Sequence, residues 1–323
     1  MNILFCSAGR RVELLKDFKK SMEESDRIVA ADLSNLAPAL YVADAYYLVP
    51  RIDDPTYLDT ILDICRNERI NAVTTLIDPE IGLLAKNRTR FEEIGVEVLA
   101  PYPKTAELCF DKFKMYQYLT AHGIPTPDTW GDYTSAMNAV GNGILSFPVF
   151  VKPRMGSGSV GARKVQDADT LKALFEADSS LIVQRLMNGT DLDADVYIDT
   201  ISHKAVSAFS KRKLETKIGG ASKTISFKDE KLFAFIQEIA DLMKFNGPVD
   251  MDFFYQNGTY YLSEINPRFG GAYLHAYGAG IDFVKLIKNN LNGVVNTPVF
   301  GEYEENIVMM MYDSVIITKI DKV

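Results

Sequence analysis

Short runs of β-branched and aromatic residues alternate with helical stripes over the first hundred positions. Residues 2–6, 27–31, 45–49, 72–76 and 96–99 read as strands. Between them Val12, Leu14, Leu15, Phe18 and Met22 recur at helical spacing, as do Leu58, Ile61, Leu62 and Cys65. This alternation predicts a parallel sheet with crossover helices, an α/β Rossmann-like domain over residues 1–103. Ala100-Pro-Tyr-Pro103 reads as a linker, and a helix starting near Asp111 is expected to stop at Gly123. Beyond it the pattern becomes α+β. Strands are expected at 147–152, 162–165 and 181–186, and a helix at 231–244 has a core stripe of Leu232, Phe235, Ile236, Ile239 and Met243. A hairpin follows, with Phe253-Phe-Tyr255 and Tyr260-Tyr-Leu262 flanking the turn signal Asn257-Gly258.

Composition narrows the class. A chain of 323 residues exceeds what one hydrophobic core usually supports, so two or three domains are expected. Hydrophobic residues at 47% and charged ones at 24% are those of a globular protein, not a disordered one. A net charge of −8 argues against nucleic acid as a partner, because phosphate neutralisation needs clustered cations. No stretch approaches the roughly 18 apolar residues of a membrane span, and the N-terminal run is too short for a signal peptide. A cytoplasmic protein without a membrane partner is expected. Three cysteines and three histidines at wide spacing make no zinc or redox motif.

The hairpin carries the chemistry. Folding Asp252-Phe-Phe-Tyr-Gln-Asn-Gly-Thr-Tyr-Tyr-Leu-Ser-Glu264-Ile-Asn266-Pro-Arg268 about its turn brings Asp252 beside Glu264. Residues two apart on a strand share a face, so Asn266 and Arg268 join them. Magnesium takes oxygen ligands at about 2.0–2.1 Å and leaves positions for substrate phosphates, which Asp252, Glu264 and the Asn266 amide oxygen suit. A solvated hairpin with ordinary surface acids is the competing reading. Upstream, Phe147-Pro-Val-Phe-Val-Lys152-Pro-Arg154-Met-Gly156-Ser157-Gly158-Ser159-Val-Gly161 joins a strand to a glycine-rich loop. The loop fits a dinucleotide fingerprint in form, but a returning strand at 162–165 replaces the helix which that fingerprint requires. A flap whose main-chain N–H groups cover nucleotide phosphates is expected instead, with Lys152 in reach of a phosphate. The competing reading is a merely flexible hairpin.

This order of elements resembles the ATP-grasp superfamily, and within it the carboxylate–amine ligases related to the carbamoyl-phosphate synthetase large subunit. The resemblance runs from the N-terminal sheet through Asp111-Lys112, Val151-Lys152-Pro153 with its flap, and 181–186 to Glu264-Ile-Asn-Pro-Arg268. It implies an ATP-grasp domain of two α+β subdomains, residues 104–185 with the flap and 186–323 with the metal site. It further implies ATP and Mg²⁺ as cofactors, with Mn²⁺ as a substitute. Lys112 and Lys152 would contact phosphates, Gln184, Arg185 and Leu186 would form the adenine hinge, and Asp191 would take the ribose hydroxyls. Asp252, Glu264 and Asn266 would hold metal, and Arg268 would stabilise the transferred phosphoryl group. The implied reaction joins a carboxylate to an amine through an acyl phosphate, releasing ADP and phosphate, with an amino acid among the small-molecule substrates. The alternatives are a phosphotransferase and a non-catalytic ATP-binding scaffold or sensor. Arg212 and Lys213 in a basic run are candidates to clamp the acceptor carboxylate, with a solvated basic face as the equal alternative. Arg10, Asp78 and Glu80 are candidates to complete that pocket. A homodimer is the default expectation for assembly.

Overall fold

The computed structural model describes residues 1–320 except 157, 159, 218 and 219. Five parallel strands form the first sheet: β1 (Asn2–Cys6), β2 (Arg27–Asp32), β3 (Ala45–Leu48), β4 (Ala72–Thr75) and β5 (Glu97–Val98). Their order is β3-β2-β1-β4-β5, so the chain reverses direction across the sheet between β1 and β4. Ile3 to Cys6 are all buried because packing covers both faces of β1, which is why that strand reads as continuous rather than alternating. Loops at the C-terminal ends of β1 and β4 meet at the reversal, where α/β sheets place ligands.

A four-stranded antiparallel sheet follows: β6 (Thr129–Trp130), β7 (Val149–Pro153), β8 (Arg163–Val165) and β9 (Leu181–Arg185). Its order is β6-β9-β7-β8, and β7 and β8 are the two sides of the glycine-rich loop. The third sheet contains β10 (Thr190–Ile198), β11 (Ala205–Lys217), β12 (Gly220–Ser226), β13 (Gly247–Gln256), β14 (Thr259–Asn266), β15 (Val299–Phe300) and β16 (Val308–Met310). It runs β14-β13-β10-β11-β12-β16, with β15 attached to β11. Helix Glu230–Leu242 buries Leu232, Phe233, Ile236 and Ile239 in the core that includes β10 and β13 residues. The helix over Lys112–Ala121 ends just before Gly123, whose φ of 74° suits the left-handed exit.

The first and third sheets share one core. Phe5 meets Phe18 edge-on at 4.9 Å between ring centroids, Phe18 meets Phe269 at 5.4 Å, and Phe269 meets Tyr273 at 4.9 Å. Each buried aromatic contributes roughly 2–3 kcal/mol of transfer free energy, so this chain of rings anchors the segment after Arg268 against the N-terminal sheet. The small sheet has its own core of Ala136, Val149, Val151, Leu171 and Val183. Among the described residues, no helix is long and apolar enough to cross a membrane.

Candidate active site

The turn at Asn257-Gly258 has φ of 52° and 82°, the pair of positive values that a two-residue type I′ hairpin demands. It pairs Gln256 with Thr259 through Phe253 with Leu262, and a β-bulge between Asp252 and Phe253 then shifts the register by one, so that Asp252 faces Glu264 and Asp250 faces Asn266. Crossing to β10, Asp193 faces Asp252 and Asp195 faces Asp250; crossing to β11, Lys211 faces Asp193. Because strand side chains alternate with period two, one face of the sheet gathers acids from three adjacent strands. That face borders a cleft of about 830 Å³, within the range of about 300–1,000 Å³ usual for small-molecule sites.

Lysines occupy part of this acidic field. Lys213 Nζ lies 2.5 Å from Asp252 Oδ1 and 3.0 Å from Asp191 Oδ1. Lys211, wholly buried, is 3.1 Å from Asp193 Oδ1 and also pairs with Asp195. Lys112 Nζ is 3.3 Å from Glu264 Oε1 and donates to the Gly156 carbonyl at 2.5 Å. The acids still outweigh their partners. Burial, with Asp193 and Glu264 adding to it and Lys213 opposing, moves the Asp252 carboxyl up to about 6. Burial and the charges of Asp193, Asp252 and Asp195 raise Asp250 well above the carboxylate range. Asp193 goes the other way, because Lys211 and Lys213 overcome its burial. Oδ1 of Asp193 and Oδ1 of Asp250 are buried without a hydrogen bond. Crowded hard oxygens whose charge is incompletely neutralised fit a divalent cation: Asp193, Asp195 and Asp250 bring carboxylate oxygens within 4.8 Å of one another, and Asp252, Glu264 and Asn266 border the same cleft as Asp193 and Asp250.

On the opposite wall, Lys152 reaches the cleft from β7, and Gly156 and Gly158 take positive φ of 117° and 67° in the flap. Ser157 and Ser159 lie outside the described residues. Asp111 holds the flap's root, because its carboxylate receives Arg154 Nε and Nη2 at 2.7 Å each while capping the helix that carries Lys112. Lys152 is 7% exposed and has no hydrogen-bonding or ion-pair partner among the described residues. Burial pulls its ammonium below the ordinary lysine value, with Glu264 opposing and Lys112 reinforcing. A lysine whose pKa is lower in the folded state costs stability at neutral pH, and the cost fades as the pH rises through about 10.4. Lys152→Met is therefore expected to stabilise the nucleotide-free protein by about 1 kcal/mol at pH 7, less above pH 10, while weakening ATP binding roughly 10–100-fold. Urea denaturation and nucleotide titration check it; a destabilised variant that binds ATP normally would show that Lys152 is structural.

Gln184, Arg185, Leu186 and Asp191 also line the cleft, Gln184 with its amide donating to Thr129 Oγ1 at 3.1 Å. The Arg185 side chain is held by Asp128 at 2.8 Å and by the Ile144 carbonyl. Arg268 closes the far end in a bidentate pair with Asp78, at 2.9 and 3.2 Å. Burial alone would lower this guanidinium's pKa, but Asp78 and Asp250 raise it.

Three residues expected at the acceptor pocket do not line the cleft. Glu80 is fully buried and accepts from Ser7 Oγ, Thr75 Oγ1 and Tyr57, so it ties together the ends of β1 and β4. Arg10 is exposed, and its neighbour Arg11 enters the cleft in its place. Arg212 is exposed between Lys211 and Lys213, on the other side of β11, as strand alternation requires. Asp32 accepts from the main chain of Gly9 and Ser34 and thus serves the turn. Asp193, Asp250 and Arg11 were not legible as site residues. The period-two series Asp191, Asp193, Asp195 and the pair Asp250, Asp252 carried the signal for the first two; nothing distinguished Arg11 from Arg10.

Comparison with known proteins follows this division of the chain. Residues 3–99 match the PylC-like N-terminal domain family, and residues 109–272 match the ATP-grasp domain family. A D-alanine–D-alanine ligase of Bacillus anthracis is 26% identical over 165 residues, 46% of this chain and 53% of that protein. A formate-dependent phosphoribosylglycinamide formyltransferase of Haloquadratum walsbyi is 25% identical over 263 residues, 74% of this chain and 61% of that protein. The chain thus spans about half the length of the first of these curated relatives. Among solved structures, N5-carboxyaminoimidazole synthetase from Staphylococcus aureus complexed with ADP superposes with a TM-score of 0.75 at 18% identity, over 96% of this chain and 81% of that one. An L-amino acid ligase from Bacillus licheniformis superposes with a TM-score of 0.68 at 18% identity, over 90% and 74%. These likenesses show a shared fold.

Proposed function

Because this chain belongs to the ATP-grasp family, we propose that it is an ADP-forming ligase that activates a carboxylate as its acyl phosphate and joins it to an amine. One observation carries the reading: Asp252, Glu264, Asn266 and Arg268, on β13, β14 and the segment that directly follows it, share a cleft with Lys152 of β7, which is unpaired among the described residues. ATP is assigned to the space between flap and acidic face, with adenine towards Gln184, Arg185 and Leu186 and ribose towards Asp191. Asp252, Glu264 and Asn266 would hold Mg²⁺, for which Mn²⁺ would substitute; when bound it neutralises phosphate charge. The subdomain limits at 103 and 185 belong to the same proposal.

Lys152 and Lys112 spread the negative charge of the phosphates, a role for which Lys152 is free among the described residues and for which Lys112 exchanges Glu264 for a phosphate oxygen. Arg268, held in place by Asp78, faces the carboxyl group being activated. Its fixed guanidinium supports charge as the γ-phosphoryl group passes to that carboxylate. The amine nitrogen then forms the C–N bond as the acyl carbon's bond to phosphate oxygen breaks, and the departing phosphate takes the electron pair and the nitrogen's proton. The flap's main chain and Met155 shield the intermediate from water. An amino acid among the substrates is the economical choice, since nothing beyond one carboxylate and one amine is required.

The test measures ADP and phosphate release with MgATP across paired pools of small carboxylates and amines. Release that needs both co-substrates, with the amide found by mass spectrometry, is the expected result. A stable phosphorylated product without an amide would make the protein a phosphotransferase. ATP binding without turnover in any pool would make it a nucleotide-binding scaffold.

A further inference from the structure

One cation in the cleft has no role in the phosphate chemistry. Arg11 follows the tight turn that ends β1, where Ser7 and Gly9 adopt φ of 50° and 51°, and this turn delivers its side chain to the cleft. Its Nη2 donates to the main-chain carbonyls of Gly270, at 2.6 Å, and Phe269, at 3.4 Å. Those residues directly follow Arg268, so Arg11 lies on the N-terminal-sheet side of the reacting end. Among the described residues no carboxylate comes within 4 Å of it. Asp78 is committed through both carboxylate oxygens to the Nε–Nη2 edge of Arg268. Burial, and after it the like charge of Arg268, lowers the Arg11 guanidinium to about 10, with Asp250, Asp195 and Asp78 opposing from further away. A half-buried guanidinium with N–H groups to spare, in a cleft wall and without an ion pair among the described residues, is a receptor for an anion.

We propose that Arg11 anchors a carboxylate of the acceptor substrate, so that the acceptor is an amino acid rather than a simple amine. The proposal rests on the ligase reading above. The geometry gives the two arginines separate tasks. Arg268 sits at the carboxyl group being activated, and Arg11, held on the 269–270 main chain, grips a second carboxyl beyond it. An acceptor whose amine and carboxylate are separated by one carbon then presents its nitrogen back towards Arg268. Gly270 makes the approach feasible: a Cβ there would fall 2.7 Å from Asp195 Oδ1 and 2.8 Å from Asp250 Oδ1, so a larger residue would lift this segment off the acidic face.

The test uses the full chain saturated with MgADP. Binding is measured by calorimetry and by thermal shift for the protein amino acids in both enantiomers, each beside the amine left by removing its carboxyl group. At least one amino acid is expected to bind, with its decarboxylated amine roughly 10–100-fold weaker. Arg11→Met should lose the same factor for that amino acid with MgADP affinity unchanged, and Arg11→Lys should fall between. Absence of binding by every amino acid to the MgADP-loaded protein would overturn the proposal. So would equal binding of acid and amine by the unsubstituted protein, a comparison that needs no variant to fold. Failure of the unsubstituted protein to bind MgADP would instead undo the ligase reading.

Discussion

Glu264→Gln is expected to lower ATP turnover by roughly a thousandfold at saturating magnesium, with little change in fold. The substitution keeps the shape of the side chain and removes only its charge. Glu264 faces Asp252 across β13 and β14 and receives Lys112 at 3.3 Å, so under the proposed reading it stands where both the metal and a phosphate-binding lysine would need an anion. Its side chain is 26% exposed, so the amide can be solvated and the structural cost stays near about 0.5 kcal/mol. The catalytic cost is larger, because removing one preorganised electrostatic group from a water-poor site typically costs 10²–10³-fold in rate, and loss of metal affinity adds to it. Steady-state release of ADP over a magnesium titration measures both. Turnover within tenfold of the unsubstituted protein would remove Glu264 from the metal set.

For Arg268→Met, two losses of different kind are expected: a rate loss of roughly 10²–10³-fold and a stability loss of about 3–5 kcal/mol. The second arises because Asp78, with a side chain only 12% exposed, keeps its charge and loses both of its bonds to Arg268. Removing that stranded charge separates the two. Asp78→Asn combined with Arg268→Met should recover most of the stability in urea denaturation and none of the turnover. Recovery of turnover in the double variant would show that Arg268 only repairs the contact between the first and third sheets, and that the phosphoryl group is stabilised elsewhere.

The fold was legible wherever a local signal and a burial pattern agreed. The five parallel strands are at the expected places, although the last, expected over 96–99, is a two-residue strand at Glu97–Val98. The Asn257-Gly258 hairpin also follows from local chemistry, since few residues tolerate two consecutive positive φ angles. Placing Asp252 opposite Glu264 took more than that turn and the strand period, which alone would set Asp252 against Ser263; a β-bulge between Asp252 and Phe253 shifts the register by one. The returning strand after the glycine loop separated a flap from a dinucleotide fingerprint, and β8 is that strand.

Where the reading failed, the deciding contacts come from distant parts of the chain. Glu80 looks like an accessible acid at a helix start, yet Ser7, Thr75 and Tyr57 converge on it from 73, 5 and 23 residues away. The sequence by itself determined the sheet types, the hairpin, the flap and the strand faces, because those depend on backbone propensity and on a period of two that any neighbour respects. Only the tertiary structure decided that Arg11 rather than Arg10, and Lys213 rather than Arg212, borders the cleft. It also brought β10 beside β13, so that Asp193 and Asp195 meet Asp252 and Asp250. The physical reason is register: which side of a turn or strand faces the cleft is settled by burying the apolar side against the shared core, and that choice is made between segments, not within one.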